Sequence, residues 1–202
     1  LRGSRGHHLD VVLPHQVADP RVAVTIADAR NFLLTRDDRF DVIISEPSNP
    51  WVGGVATLFT SEFYALAASR LRRGGVMVQW VQSYALAPAD LQMITRTFRT
   101  AFPGTELWAP VPGDYLLLGR AADAPFPFER VAARWAERVE VREDLRRVSL
   151  TAPAALLSDF MLGAADTARY AEGARGNTDD RLPLEFSAPR SLYQDTVEAN
   201  WR

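Results

Sequence analysis

Apolar positions along this chain switch between a period of two and a period near 3.6, and the switching lays out a β-α-β order. Val22 to Ala27 is a β-branched apolar run that predicts a strand ending at Asp28-Ala29-Arg30, with a short helix over Asn31–Leu34 behind it. Asp41-Val42-Ile43-Ile44-Ser45 is a second such run, with the pattern of a strand buried on both faces. It stops at Glu46-Pro47-Ser48-Asn49-Pro50-Trp51, where closely spaced prolines turn the chain out of the sheet. Thr60 reads as an N-cap with Glu62 in the first turn. Phe63, Leu66, Ala67 and Leu71 then recur at helical spacing, up to a terminator at Gly74-Gly75. Val76 to Val81 is the next strand, which completes a right-handed, parallel unit.

Pro88 suits a first helical position, and Leu91, Ile94, Phe98 and Ala101 mark that helix's buried stripe before Pro103-Gly104 breaks it. Strands over Thr105–Ala109 and Tyr115–Gly119 flank a short Pro/Gly joint, which predicts a hairpin and an antiparallel last strand. Beyond Arg120 the periodicity is helical. Phe128, Val131, Trp135 and Val139 form one stripe, and Leu156, Leu157, Phe160 and Met161 another. Asn177 to Arg181 is a polar turn, and Leu182–Phe186 is expected to be extended because proline interrupts it.

This order predicts an α/β fold with polar groups collected at the carboxyl ends of its strands, the edge where open α/β sheets bind ligands. Glu46, Asn49 and Trp51 follow one strand, and Gln79, Gln82, Ser83 and Tyr84 close the next. Convergence of acid, amide and aromatic at one edge fits a binding site, while Asn and Ser also satisfy turn backbone without any ligand. Asp28 is open to two readings in the same way, as a ligand-binding carboxylate or as the cap of the helix that follows. His7-His8 and Asp179-Asp180 fit either cation ligands or solvated polar pairs.

Composition removes whole classes of chemistry. Cysteine is absent, so thiol nucleophiles, disulfides and thiolate metal sites are excluded. All 23 basic residues are Arg, which excludes Schiff-base lysines and the phosphate-loop lysine. His7, His8 and His15 are the only histidines, so no His-based triad or metal site is expected in the body of the domain. A net charge of −2 gives no basic footprint for nucleic acid. No apolar run approaches the ~20 residues of a membrane span. Proton transfer is left to carboxylates, tyrosines or water.

The segments DPRV (19–22), DAR (28–30), FDVIISEPSNPWVGG (40–54), LFTSEFY (58–64) and GGVMVQW (74–80) resemble the spermidine/spermine synthase family. NTDDRLPLEFSAPRSLY (177–193) is similar to the C-terminal signature of its bacterial branch, in which the domain often follows membrane helices. The resemblance implies a mostly parallel, doubly wound sheet of the S-adenosylmethionine-methyltransferase type, with one antiparallel late strand. It implies transfer of an aminopropyl group from decarboxylated S-adenosylmethionine to a small amine, with no permanently bound cofactor and no metal. Asp28 and Ala29 match the family's adenine-binding pair, Glu46 its catalytic acid, and Gln79 the glutamine that ends the next strand. Trp51, Tyr84 and Asn49 are placed at the acceptor pocket by position.

The typical family loop reads D-x-x-D-P, where this chain has Glu46-Pro47-Ser48-Asn49-Pro50. Glu46 carries one extra methylene, and Asn49 cannot supply a second negative charge to a diamine. The family's glycine-rich loop and ribose-binding acid belong upstream of Asp19, so the expectation is a C-terminal part of the domain, lacking its first strands. The expected layout is a poorly defined segment over residues 1–18, the α/β domain over 19–120 and a helical extension over 121–202. A cytoplasmic location, tethering through membrane helices of a longer form and a homodimer are further expectations from the resemblance. Two alternatives stay open. Ser48-Asn49-Pro50-Trp51 is similar to the N-P-P-Y loop of amino-group methyltransferases, and a non-catalytic domain would keep the same fold.

Overall fold

The computed structural model describes residues 19–120 and 128–201, so His7, His8, His15 and the expected 1–18 segment lie outside the described residues. Contacts divide the described chain into two units, with the boundary between Thr35 and Arg36.

In the first unit the expected strand over Val22–Ala27 does not form, and Val24 and Ile26 are 64% and 100% exposed. β-Propensity measures fit to a pleated neighbour, and among the described residues this run has no ladder partner. Helix α1, Ala29–Thr35, follows it directly.

The second unit is built on a five-stranded sheet. Its strands are β1 (Phe40–Ser45), β2 (Leu71–Gln82), β3 (Glu106–Val111), β4 (Asp114–Arg120) and β5 (Phe160–Leu162), in the spatial order β1-β2-β4-β3-β5. β1 and β2 are parallel, while β4 runs antiparallel to both β2 and β3, and β5 antiparallel to β3. β1, β2 and β3 therefore share one direction, and the late antiparallel strand is inserted between two of them. The expected hairpin over Pro110–Asp114 is present as the β3–β4 turn.

Helix α2, Ser61–Arg70, begins where the Thr60 hydroxyl accepts from the Phe63 amide at 3.2 Å, as the cap pattern predicts. It stops at Arg70, short of Gly74-Gly75, because those glycines serve β2 instead. Gly74 adopts φ +81°, and a Cβ on Gly75 would stand 3.0 Å from the Asp41 carbonyl. The pair thus forms an irregularity between the register points Phe40↔Leu71 and Val42↔Val76. Helix α3, Pro88–Ala101, opens on its proline and buries Leu91, Ile94 and Phe98 as expected.

One face of the sheet is well covered. Met77, Gln79 and Val81 of β2 lie opposite Gly119, Leu117 and Tyr115 of β4, and all are buried beneath α2 and α3. Tyr64 meets Phe98 edge-on at 4.9 Å, and Phe98 lies 4.9 Å from Phe102. The opposite residues Val76, Val78, Trp80, Leu116 and Leu118 are only half-buried. β1 departs most from expectation, since Val42 and Ile44 are 53% and 69% exposed. Among the described residues β1 is hydrogen-bonded to β2 alone and none of its residues is buried, so the expected burial on both faces is not met.

After β4 come helices α4 (Phe128–Glu137), α5 (Val139–Arg146) and α6 (Pro153–Leu157). Phe160 and Met161 fall in β5 and not on a helix, since Phe160 reaches the sheet and packs edge-on against buried Trp108 at 5.3 Å. Helices α7 (Ala164–Tyr170), α8 (Pro183–Ser187) and α9 (Val197–Trp201) complete the unit. The expected extended run over Leu182–Phe186 is helical from Pro183 on. A proline at the first helical position removes only an amide that has no intrahelical partner.

Gly119 is the closest approach of sheet to helix: a Cβ there would lie 2.6 Å from the rings of Phe98 and Phe102. Gly119→Ala is expected to lower stability by about 2 kcal/mol through overpacking. That corresponds to a melting temperature lower by roughly 4–8 °C for a domain of this size. An unchanged melting curve would show that the aromatic rings give way freely.

Candidate active site

The carboxyl edge of β1 and β2 collects the residues that the pattern singled out in this unit. Glu46 leaves β1 directly after Ser45 and is exposed, with no hydrogen bond or ion pair among the described residues. The two prolines do end the strand here. The Asn49 carbonyl accepts from the Val52 amide at 2.9 Å, which closes a turn. Trp51 is thereby brought edge-on to Tyr84, with ring centroids 6.2 Å apart and planes at 65°. Trp51 is half-buried and Tyr84 is 41% exposed, so the pair forms an aromatic wall open to solvent.

Gln79 stands opposite Ser45 in the β1–β2 register and is fully buried. Its Nε2 donates to the Ser45 carbonyl at 3.3 Å and to the Trp80 carbonyl at 2.9 Å. Its Oε1 is buried with no partner, as are both amide atoms of Gln82 and the hydroxyl of Ser83. Buried polar atoms are nearly always hydrogen-bonded, so several unmet groups at one strand end mark a place where a polar ligand or water completes the structure.

Asp28 and Ala29 belong to the first unit. Asp28 accepts from the Asn31 amide at 2.7 Å and so caps α1, while Ala29 is the first residue of that helix and is exposed. Only one carboxylate oxygen makes this bond, so the cap leaves the other available. Among the described residues no group of three or more His, Cys, Asp or Glu is placed to hold a metal, and Asp179-Asp180 is no exception.

The loop that carries Trp51 is held from a distance. Its Val55–Phe59 turn of 3₁₀-helix is bound by Asn177, whose Nδ2 donates to the Ala56 carbonyl at 3.2 Å and the Phe59 carbonyl at 3.1 Å. Asn177 Oδ1 accepts from the Leu184 amide at 3.3 Å, and its backbone amide donates to Thr97 Oγ1 at 2.9 Å. Its carbonyl accepts from the Ser61 amide at 3.0 Å. Glu185 adds a further tie by accepting from the Gly54 amide at 3.0 Å. The chain after β2 is fixed likewise. The Ser83 carbonyl accepts from Thr196 Oγ1 and Asn200 Nδ2, both at 2.7 Å, and the Tyr115 hydroxyl donates to the Asn200 carbonyl at 3.1 Å. Burial pushes the Tyr115 phenol above its ordinary range, which keeps it a neutral donor.

Sequence reasoning read Asn177 as a turn residue and did not single out Glu185, Thr196 or Asn200. The one signal was that Asn177 opens the C-terminal signature segment. A buried asparagine that bridges three segments is otherwise indistinguishable in sequence from one that turns in water.

Comparison with known proteins bears on this edge. Residues 8–116 match a family profile described as spermine/spermidine synthase domain. A polyamine aminopropyltransferase from Synechococcus sp. (strain JA-3-3Ab) is 35% identical over 125 residues, covering 58% of this chain and 39% of the relative. Another, from Sodalis glossinidius (strain morsitans), is 45% identical over 60 residues, covering 30% of this chain and 21% of the relative. The chain thus spans well under half the length of these curated relatives. Among solved structures, a probable spermidine synthase from Corynebacterium glutamicum ATCC 13032 superposes with a TM-score of 0.52 at 19% identity, over 80% of this chain and 55% of that one. Spermidine synthase from Thermotoga maritima gives 0.53 at 18% identity, over 82% of this chain and 56% of that one. At such identities the superpositions show a common fold.

Asn177→Ala is expected to cost about 3 kcal/mol, because it orphans the Leu184 amide and two buried carbonyls at once. Hydrogen exchange should quicken at Leu184 and through residues 55–59. Stability within about 0.5 kcal/mol of wild type would show that these groups find other partners.

Proposed function

The chain belongs to the spermine/spermidine synthase domain family, and from that premise we propose that its β1–β2 edge serves aminopropyl transfer from decarboxylated S-adenosylmethionine to a small amine. Glu46 is the general base. It accepts a proton from the acceptor nitrogen as the lone pair attacks the carbon bound to the donor's sulfonium. The new N–C bond forms as the C–S bond breaks, and sulfur leaves as a neutral thioether. No oxidant or metal is needed. The observation that carries this reading is the exposed, unpartnered Glu46 carboxylate at the mouth of the edge where the Trp51–Tyr84 wall stands. A base must reach its proton without first leaving another partner.

Trp51 and Tyr84 present aromatic surface to the acceptor's methylenes, and their π faces favour a neighbouring ammonium. Gln79 Oε1, buried and without a donor, accepts from the acceptor's second polar end or from a water beside it. Asn49 stands where the family has a carboxylate, so the acceptor is a monoamine or a less basic diamine in preference to a dicationic polyamine. Asp28 and Ala29 take the adenine, by their match to the family pair, and α1 capping leaves one Asp28 oxygen for the exocyclic amine. The sequence layout, with an α/β domain to residue 120 and an extension beyond, is part of the same proposal. Among the described residues no helix is long and apolar enough to cross a membrane.

Release of methylthioadenosine from decarboxylated donor, with a panel of mono- and diamines, tests the reaction directly. Glu46→Gln is expected to reduce kcat by about 10²–10⁴-fold while donor affinity stays within roughly twofold, since it keeps the side-chain length and removes the base. Turnover unchanged in that variant would take Glu46 out of the mechanism. Preference for the carboxylated donor would replace aminopropyl with methyl transfer.

Asp28→Ser separates the cap from the ligand role, because serine still caps α1 but is too short to reach a base. Donor affinity should fall about tenfold with the melting temperature unchanged. Wild-type donor affinity would leave Asp28 as a helix cap alone.

A further inference from the structure

At the opposite end of the strands lies a cavity that the proposed reaction does not use. It has a volume of about 590 Å³, is open to solvent on one side, and lies where Gly74 and Val76 begin β2 and Arg120 ends β4, with α4 and α5 forming its upper wall. Its floor and walls are apolar, from Val76, Leu118, Val131, Trp135, Leu145 and Leu156. The polar lining is of one sign: Arg120, Arg130, Arg134, Arg138 and Arg142 face a single carboxylate, Glu106. That carboxylate is committed, because Arg120 and Trp108 Nε1 both donate to it.

The arrangement is unfavourable as a purely structural feature. Arg130 and Arg134 stand four residues apart on α4 and Arg138 directly follows the helix, a spacing at which like charges repel. Among the described residues none of the three has an ion pair. Arg142 donates to the Trp135 and Ala136 carbonyls at 3.4 Å and so closes the end of α4, yet its Nε–H is buried without any acceptor. A buried guanidinium nitrogen lacking an acceptor, beneath a row of uncompensated cations and beside an apolar chamber, calls for an anion attached to an apolar body.

We propose that this cavity binds a small amphiphilic anion, a carboxylate or phosphate head among Arg134, Arg138 and Arg142 with an alkyl or aryl body against Val76, Leu118 and Trp135. Charge complementarity selects the head, and the half-buried sheet face selects the body. The site is independent of the Glu46 edge and stands whether or not aminopropyl transfer does.

Calorimetry with decanoate, held below its micelle concentration, tests the proposal against decanol, which has the body without the charge, and inorganic phosphate, which has the charge without the body. Decanoate should bind saturably to one site, with decanol and phosphate each weaker by about tenfold or more. Arg134→Gln/Arg138→Gln should weaken decanoate by a similar factor while far-UV dichroism stays unchanged. If the double variant melts early, Arg138→Gln alone carries the same comparison, since Arg138 lies between the two helices. Decanoate affinity unaffected by these variants, or equalled by decanol or by phosphate, overturns the proposal. Binding to phosphatidylglycerol vesicles with none to free decanoate overturns it as well, in favour of a membrane-facing surface.

Discussion

The second unit depends on a single buried residue at the join of four elements. Asn177 meets both of its amide hydrogens, its side-chain oxygen and its own backbone groups with partners from the 3₁₀ turn, α2, α3 and α8. No apolar residue could do this, because the Ala56 and Phe59 carbonyls and the Leu184 amide are out of water and must be answered in kind. The C-terminal segment therefore sets the path of the loop after β1. The position of Trp51 against Tyr84 is decided some 120 residues downstream.

That dependence explains why the site edge is both firm and incompletely satisfied. Asn177, Glu185, Thr196 and Asn200 hold the backbone of the two loops through directional bonds. Rigid loops cannot then collapse onto the polar atoms of Gln79, Gln82 and Ser83, which remain buried and unmet. The Trp51–Tyr84 wall and the exposed Glu46 stand at the same edge.

The same sheet offers two different surfaces at its two ends. The carboxyl edge carries an acid and uncharged amides. The other end carries arginines above an apolar floor.

Local physics makes much of this legible in the sequence alone. Thr60 capping α2, Pro88 opening α3, the Pro110–Asp114 hairpin and the strand-ending prolines after Ser45 each follow from the backbone constraints of a few adjacent residues. The segment order from Asp19 to Tyr193 already pointed to the family that the comparisons establish. Whatever needed a partner from elsewhere was not legible. Val22–Ala27 has strand propensity but no ladder among the described residues, Gly74-Gly75 serves a strand instead of ending a helix, and Pro183 starts a helix where its interruption predicts an extended run. Phe160 leaves its helical stripe because Trp108 and β3 receive it. Asn177 reads as a turn residue until the groups it answers are seen to be dry. Sequence determines what a short stretch can do. Only the tertiary structure decides which buried groups it must satisfy, because that demand is made by residues far away along the chain.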